Sequence, residues 1–226
     1  MVWVRPKDIE YPKQWHKFEG PTGRKFIIKD LTPEYYDIAL GYTTNIFMHE
    51  SNIMGPLRIF HDPAERSKLQ QKWLSIFKRN GSLVCVTDEE LPRVAGIHIT
   101  VVREKHDEKQ DLPATTAYDK FVKAVEDLLK ESNFYEKFGG DTYLSSLGLF
   151  VLPEFRCQGI ATEFLRTRLI MCKALGLRGT ANVFSTPHAQ LAARRVGYQV
   201  AAVLRPDQTS LDIQADLAAM GAAVDT

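Results

Sequence analysis

The run Tyr143-Leu144-Ser145-Ser146-Leu147-Gly148-Leu149-Phe150-Val151-Leu152 is nearly continuous in apolar side chains. A strand of that kind is buried on both faces, so it belongs in the interior of a sheet rather than at a solvated edge. Directly after it comes Arg156-Cys157-Gln158-Gly159-Ile160-Ala161, then a helical pattern from Gln158 to about Leu175. The rest of the chain has to be compatible with this strand, turn and helix.

It is. Arg24 to Asp30 reads as a first strand, and Thr32-Pro33-Glu34 then supplies an N-cap, a proline at the first helical position and an acid in the first turn. The helix they start is expected from about Pro33 to Met48. Asp62-Pro63-Ala64-Glu65 repeats the signal, with Leu69, Trp73, Ile76 and Phe77 on one face behind it. Ser82 to Thr87 and Val94 to Val102, joined by Asp88-Glu89-Glu90-Leu91-Pro92, predict an antiparallel hairpin. Phe121, Ala124, Val125, Leu128 and Leu129 predict another helix after the charged loop Arg103 to Asp111. Beyond Leu175 the pattern gives a strand from Leu177 to Phe184, a short helix from Pro187 to Arg195, and a strand from Tyr198 to Leu204. The order β-α-α-β-β-α-β-α-β-α-β describes an α/β chain with a mixed sheet. Residues 1–226 form one domain on this reading, with an irregularly packed N-terminal segment (1–22) and a C-terminal tail (205–226) that offers no clear final strand.

Composition narrows the function. At 226 residues, 44% hydrophobic and 25% charged, the chain is globular rather than disordered or fibrous. Lys and Arg number 29 against 28 Asp and Glu, and a net charge of +1 offers no footprint for nucleic acid or an anionic membrane. The longest stretch without charge, Gly179 to Ala193, falls short of the roughly 18 apolar residues of a bilayer span. The opening Met1 to Asp8 lacks the apolar core of a secretory signal, so the cytoplasm is the expected compartment. Cys85, Cys157 and Cys172 are widely spaced and read as free thiols, and the six histidines show no ligand spacing, so no metal is expected.

The turn at Arg156 to Ala161 carries the chemistry. A helix N-terminus presents unpaired N–H groups and the positive end of its dipole, and a glycine there lets an anion approach the main chain. The string is neither GxxxxGK[ST] nor GxGxxG. It fits [RQ]xxGx[GA], and Val151-Leu152-Pro153-Glu154-Phe155-Arg156 before it, with Ala192-Ala193-Arg194-Arg195-Val196-Gly197-Tyr198 later, resembles the GNAT superfamily of N-acetyltransferases. Within it, Phe-Arg-Cys-Gln-Gly-Ile-Ala-Thr-Glu-Phe-Leu and Cys-Lys-Ala-Leu-Gly-Leu are most similar to the insect arylalkylamine N-acetyltransferases.

That resemblance implies a mostly antiparallel mixed sheet flanked by helices, with splayed central strands. It implies acetyl-CoA as co-substrate and a small primary amine, arylalkylamine or polyamine, as acceptor. Leu149, Phe150 and Val151 would pair the pantetheine arm, and Arg156, Cys157, Gln158, Gly159, Ile160, Ala161 and Thr162 would hold the pyrophosphate. The insect enzymes carry an acidic general base after the first helix, commonly spelled Asp-Glu-Pro-Leu. Here His49-Glu50-Ser51-Asn52 stands there, so Glu50 is the candidate base, expected to be partly buried or to act through water. Ser185 has two readings: a residue near the thioester, by resemblance, or the cap of the short helix. His188 is a candidate proton donor to the coenzyme thiolate. The tyrosine that many relatives place four residues before the later glycine is Ala193 in this chain. A coenzyme-A-binding protein without turnover, or a protein N-acetyltransferase, is the alternative activity; the oligomeric state stays open.

Overall fold

The apolar run forms β5 (Thr142–Val151), the fifth of eight strands in a computed structural model that describes residues 3, 5–51, 55, 63–106, 116–209, 211 and 216–225. The sheet order is β1-β2-β3-β4-β5-β6-β8-β7. The other strands are β1 (Gln14–Glu19), β2 (Lys25–Asp30), β3 (Leu83–Thr87), β4 (Val94–Glu104), β6 (Gly179–Phe184), β7 (Gln199–Leu204) and β8 (Leu217–Ala223). Every neighbouring pair is antiparallel except β5 and β6.

The helices are α1 (Tyr36–Tyr42), α2 (Met48–Glu50), α3 (Pro63–Phe77), α4 (Ala117–Ser132), α5 (Phe134–Phe138), α6 (Ile160–Ala174) and α7 (Pro187–Arg195). The expected helix from Pro33 is broken into a 3₁₀ turn (Pro33–Tyr35), α1, a π turn (Thr43–Phe47) and α2. The hydroxyl of Thr43 donates to the Ala39 carbonyl at 2.7 Å, a back-bond that bends a helix. The start signal before α3 includes Asp62, which lies outside the described residues, as do residues 107–115 of the charged loop. Helices α1 to α5 cover one face of the sheet and α6 and α7 the other. Leu69, Trp73, Ile76 and Phe77 of α3 are all buried, as their spacing requires.

Two expectations are corrected. The N-terminal segment is not irregular throughout, because Gln14–Glu19 is an edge strand registered on β2. It is seated by Asp30, fully buried, whose carboxylate accepts from Arg5 Nη1 at 2.9 Å, the Trp15 indole at 2.7 Å and the Lys13 amide at 2.8 Å. The C-terminal tail likewise contains a strand. β8 inserts between β6 and β7, antiparallel to both. Its Leu-Ala-Ala-Met-Gly-Ala-Ala composition has no β-branched residue and spells helix by propensity. Packing overrides that: the α5 rings lie so close that a Cβ on Gly221 would sit 2.7 Å from Phe134 and 3.1 Å from the Ala181 Cβ. Only small side chains fit there.

Candidate active site

The parallel pair β5 and β6 registers at one position, Leu144↔Thr180. Beyond it the strands diverge, while β5 stays paired with β4 through Leu149↔His98, Phe150↔Ile97 and Val151↔Gly96. The edge of β5 facing β6 therefore has no strand ladder along Leu149 to Val151. The fork opens toward the C-terminal ends of both strands. On the β5 prong the chain passes through a 3₁₀ turn (Pro153–Phe155) into the glycine loop; on the β6 prong it passes through Ser185 into α7.

The loop is built by its main chain. Cys157 has φ 61° and Gly159 has φ 82°, both left-handed, and α6 begins at Ile160, two residues after the expected Gln158. A Cβ on Gly159 would meet nothing within 4 Å, so its glycine answers to backbone conformation rather than crowding. Gly159 has no side chain to cap the helix, and the first intrahelical bond runs from the Glu163 amide to the Gly159 carbonyl at 3.0 Å. The amides of Ile160, Ala161 and Thr162 thus lack intrahelical acceptors and point with the dipole out of the helix start. Ile160 is buried and anchors the turn, while Arg156, Cys157 and Gly159 are exposed.

The β1 end of the sheet buttresses this loop, which sequence reasoning missed because β1 read as irregular. Thr22 donates to Gln158 Oε1 at 2.7 Å, and His16 Nε2 lies 2.9 Å from Glu163 in the first turn of α6. Arg24 and Arg93 stack over the Phe155 ring at 5.6 and 4.8 Å. Each also meets a carboxylate, Glu89 at 3.6 Å and Glu154 at 3.4 Å respectively.

Glu50 and Arg156 are brought together directly: an Arg156 Nη2 donates to Glu50 Oε2, while Arg156 Nε reaches the Val151 carbonyl at 3.3 Å. The π turn aims this contact by stacking Phe47 on Phe150 of β5, ring centroids 5.7 Å apart. The Glu50 side chain is 48% exposed, and Arg156 is its ion-pair partner. Of the Ser51-Asn52 departure from the insect spelling, Ser51 ends α2 and Asn52 lies outside the described residues. Ser185 is half-buried at the tip of the β6 prong, but the helix cap is Thr186, whose hydroxyl accepts the Ala189 amide at 3.1 Å. His188 is exposed on the first turn of α7, and Ala193 is fully buried.

Burial pushes the thiol of Cys172 up to about 12 and that of Cys85 higher still, leaving Cys157 as the exposed thiol. Among the described residues no three His, Cys, Asp or Glu side chains gather in a metal-binding group, and no helix is long and apolar enough to cross a membrane.

No family model matches the chain, and no curated protein matches it. Solved structures do. One named arylalkylamine N-acetyltransferase 7, from the yellow fever mosquito Aedes aegypti, superposes with a TM-score of 0.88 at 24% identity, covering 99% of this chain and 100% of its own. The chain has the GNAT fold. A polyamine N-acetyltransferase of Drosophila melanogaster that forms N-acetylagmatine gives 0.72 at 12% identity over 88% of this chain and 100% of its own. A GNAT-superfamily phosphinothricin acetyltransferase from Sinorhizobium meliloti, solved in complex with acetyl-CoA, gives 0.53 at 17% identity over 87% of each chain. The GNAT likeness extends over β1 and β8 as well as the motif-bearing half.

Proposed function

We propose that this GNAT-fold chain is an N-acetyltransferase that moves the acetyl group of acetyl-CoA to a small primary amine, an arylalkylamine or polyamine. The observation that carries the reading is the left-handed Gly159 turn with its outward amides at the open end of the β5–β6 fork. A diphosphate matches those amides, and the unladdered edge of β5 along Leu149 to Val151 matches an extended amide-bearing arm that adds like a strand. The similar structures named for arylalkylamines and agmatine, and the one holding acetyl-CoA, support the same reading.

The amine nitrogen attacks the thioester carbonyl carbon, a tetrahedral intermediate collapses, and the thiolate leaves. An amine that arrives as an ammonium, with a pKa near roughly 10.4, has to lose a proton first. Glu50 accepts it, directly or through water. In the free protein Arg156 holds that carboxylate. Diphosphate binding at the loop gives the guanidinium a second anion and frees Glu50 for the amine, so one arginine serves both halves of the site. To Ser185, just after β6, and His188, on the first turn of α7, this reading assigns the leaving thiolate.

An amine panel with acetyl-CoA, spanning dopamine, serotonin, tyramine, histamine, agmatine, putrescine and spermidine, tests the reading by thiol release. Turnover of one or more amines is expected, with kcat/KM rising from about pH 6 to a plateau near roughly pH 8 to 9. Binding of acetyl-CoA by titration calorimetry with no turnover on any amine would instead favour a coenzyme-A-binding protein.

A further inference from the structure

Two side chains that the motifs do not mark meet at the apex of the fork. A parallel ladder continuing from Leu144↔Thr180 would next oppose Ser146 to Asn182. At that position the Asn182 side chain takes the place of the backbone: its Oδ1 accepts the Ser146 amide at 3.2 Å and the Ser145 hydroxyl at 3.3 Å, and its Nδ2 donates to the Val183 carbonyl at 3.2 Å. The Ser146 N–H is thus satisfied without a β6 backbone partner, which removes the driving force for the strands to zip further.

Arg168 of α6 closes the same junction from the opposite direction. Its Nη2 donates to the Leu144 carbonyl of β5 at 2.7 Å and to the Ala181 carbonyl of β6 at 3.0 Å. The side chain is fully buried, and among the described residues no carboxylate pairs with it and its Nε and Nη1 have no partner. Burying a guanidinium on those terms is costly, and an apolar side chain of similar volume would be cheaper. Together the two bonds it does make bridge β5 and β6 at the apex of the fork. Thr180 reinforces them, donating to the Leu144 carbonyl at 2.9 Å while accepting from the Tyr198 hydroxyl at 3.3 Å.

We infer that Arg168 and Asn182 are positioning residues: Arg168 ties β5 to β6 at the apex, Asn182 spaces them one step beyond, and together they fix where pairing stops. Their function rests on the acetyl-CoA reading, since the depth of the fork sets how much of β5 is free for the pantetheine arm.

Two measurements test this. Amide exchange on the free protein reads the fork without any ligand: Asn182→Ala should speed exchange at Ser146 by about tenfold or more, and Asn182→Val should keep it slow by letting the backbone zip. Equal, wild-type exchange at Ser146 in Asn182→Ala overturns the spacer. Titration with acetyl-CoA and steady-state kinetics then read the consequence. Asn182→Val and Arg168→Met should each raise Kd and KM for acetyl-CoA by about tenfold with kcat at saturation within about twofold, a split that a general loss of stability does not produce. Wild-type KM in a folded Asn182→Val overturns the positioning role even if Arg168→Met fails to fold. If the wild-type protein binds no acetyl-CoA, the acetyl-transfer reading falls, and the exchange result still decides the fork.

Discussion

The glycine loop and the Glu50 segment meet through one ion pair, yet they are built on different principles. In the proposed site the loop contributes main-chain amides. It is locked by left-handed Cys157 and Gly159, by a helix running from Ile160 to Ala174 behind it, and by Thr22 and Glu163 contacts to the β1 end. The Glu50 segment would contribute a single side chain to that site, from the three residues of α2 after a π turn, with residues 52–54 outside the described part of the chain. A main-chain site constrains which residues the sequence can hold at several positions at once. A side-chain site constrains one. The first therefore leaves a motif and the second leaves a lone glutamate, and substitution should separate them as sharply.

Gly159→Asp strikes the loop where it is least tolerant. The new residue must hold φ 82°, and its carboxylate faces the amides an anion would use. Acetyl-CoA binding should disappear in titration calorimetry while circular dichroism stays that of the wild type. Unchanged affinity would remove the loop from the site altogether. Glu50→Gln should behave in the opposite way, lowering kcat/KM by about 10²- to 10⁴-fold and pushing its rise toward the amine's own pKa, with acetyl-CoA affinity little altered. A pH profile superimposable on that of the wild type would show that another group or bulk solvent takes the proton, and His49 beside it would be tested next.

The same contrast explains what was legible in the sequence. Strong periodicity and punctuation placed β3, β4, β5, α3, α6 and α7, and the glycine motif placed the loop. Asn182 and Arg168 left no signal, because nothing in one chain distinguishes an asparagine that intercepts a ladder from one at a strand end, and an arginine in a helix reads as solvated surface. β8 was hidden by its small residues, whose reason lies in the α5 rings packed against Gly221. β1 was hidden because its inward Trp15 is followed by side chains that are only partly covered. Its signal is tertiary: Asp30 gathers Arg5, Lys13 and Trp15 from the segment before it.

That anchor tests whether the loop depends on the edge strand that buttresses it. Asp30→Ala leaves the Arg5 guanidinium buried without its carboxylate and two further donors unmatched, which should lower stability by about 3–5 kcal/mol in chemical denaturation. If the β1 end fixes the loop, acetyl-CoA affinity should fall in the surviving folded fraction, while Glu50-dependent features of the pH profile persist. A loss of less than about 1 kcal/mol would mean that Asp30 can be replaced by water, and that the N-terminal segment is seated by its aromatic packing instead.

The smallest expected effect separates the two faces of the sheet by pH. His98 on β4, opposite Leu149, is fully buried with its ring edge-on to Phe164 of α6, the centroids 5.4 Å apart. Burial, reinforced by the nearby Arg168 charge, holds its pKa well below the ordinary 6.5. The folded protein therefore keeps this imidazole neutral where the unfolded chain takes up a proton. Stability is unaffected above about pH 6.5 and falls below it, by about 1.4 kcal/mol for each pH unit down to the folded-state value. Other titrating groups act on wild type and variant alike, so the difference between wild type and His98→Leu isolates this one proton. Between pH 6.5 and 5.5 the variant's stability should decline less by about 1 kcal/mol, because the unfolded imidazole is already half protonated at the upper end of that range. Parallel curves would mean that the ring takes up its proton in the folded state, beside Arg168 and beneath the strand that carries Leu149, and the α6 side of the sheet would then be as open to solvent as the Glu50 side.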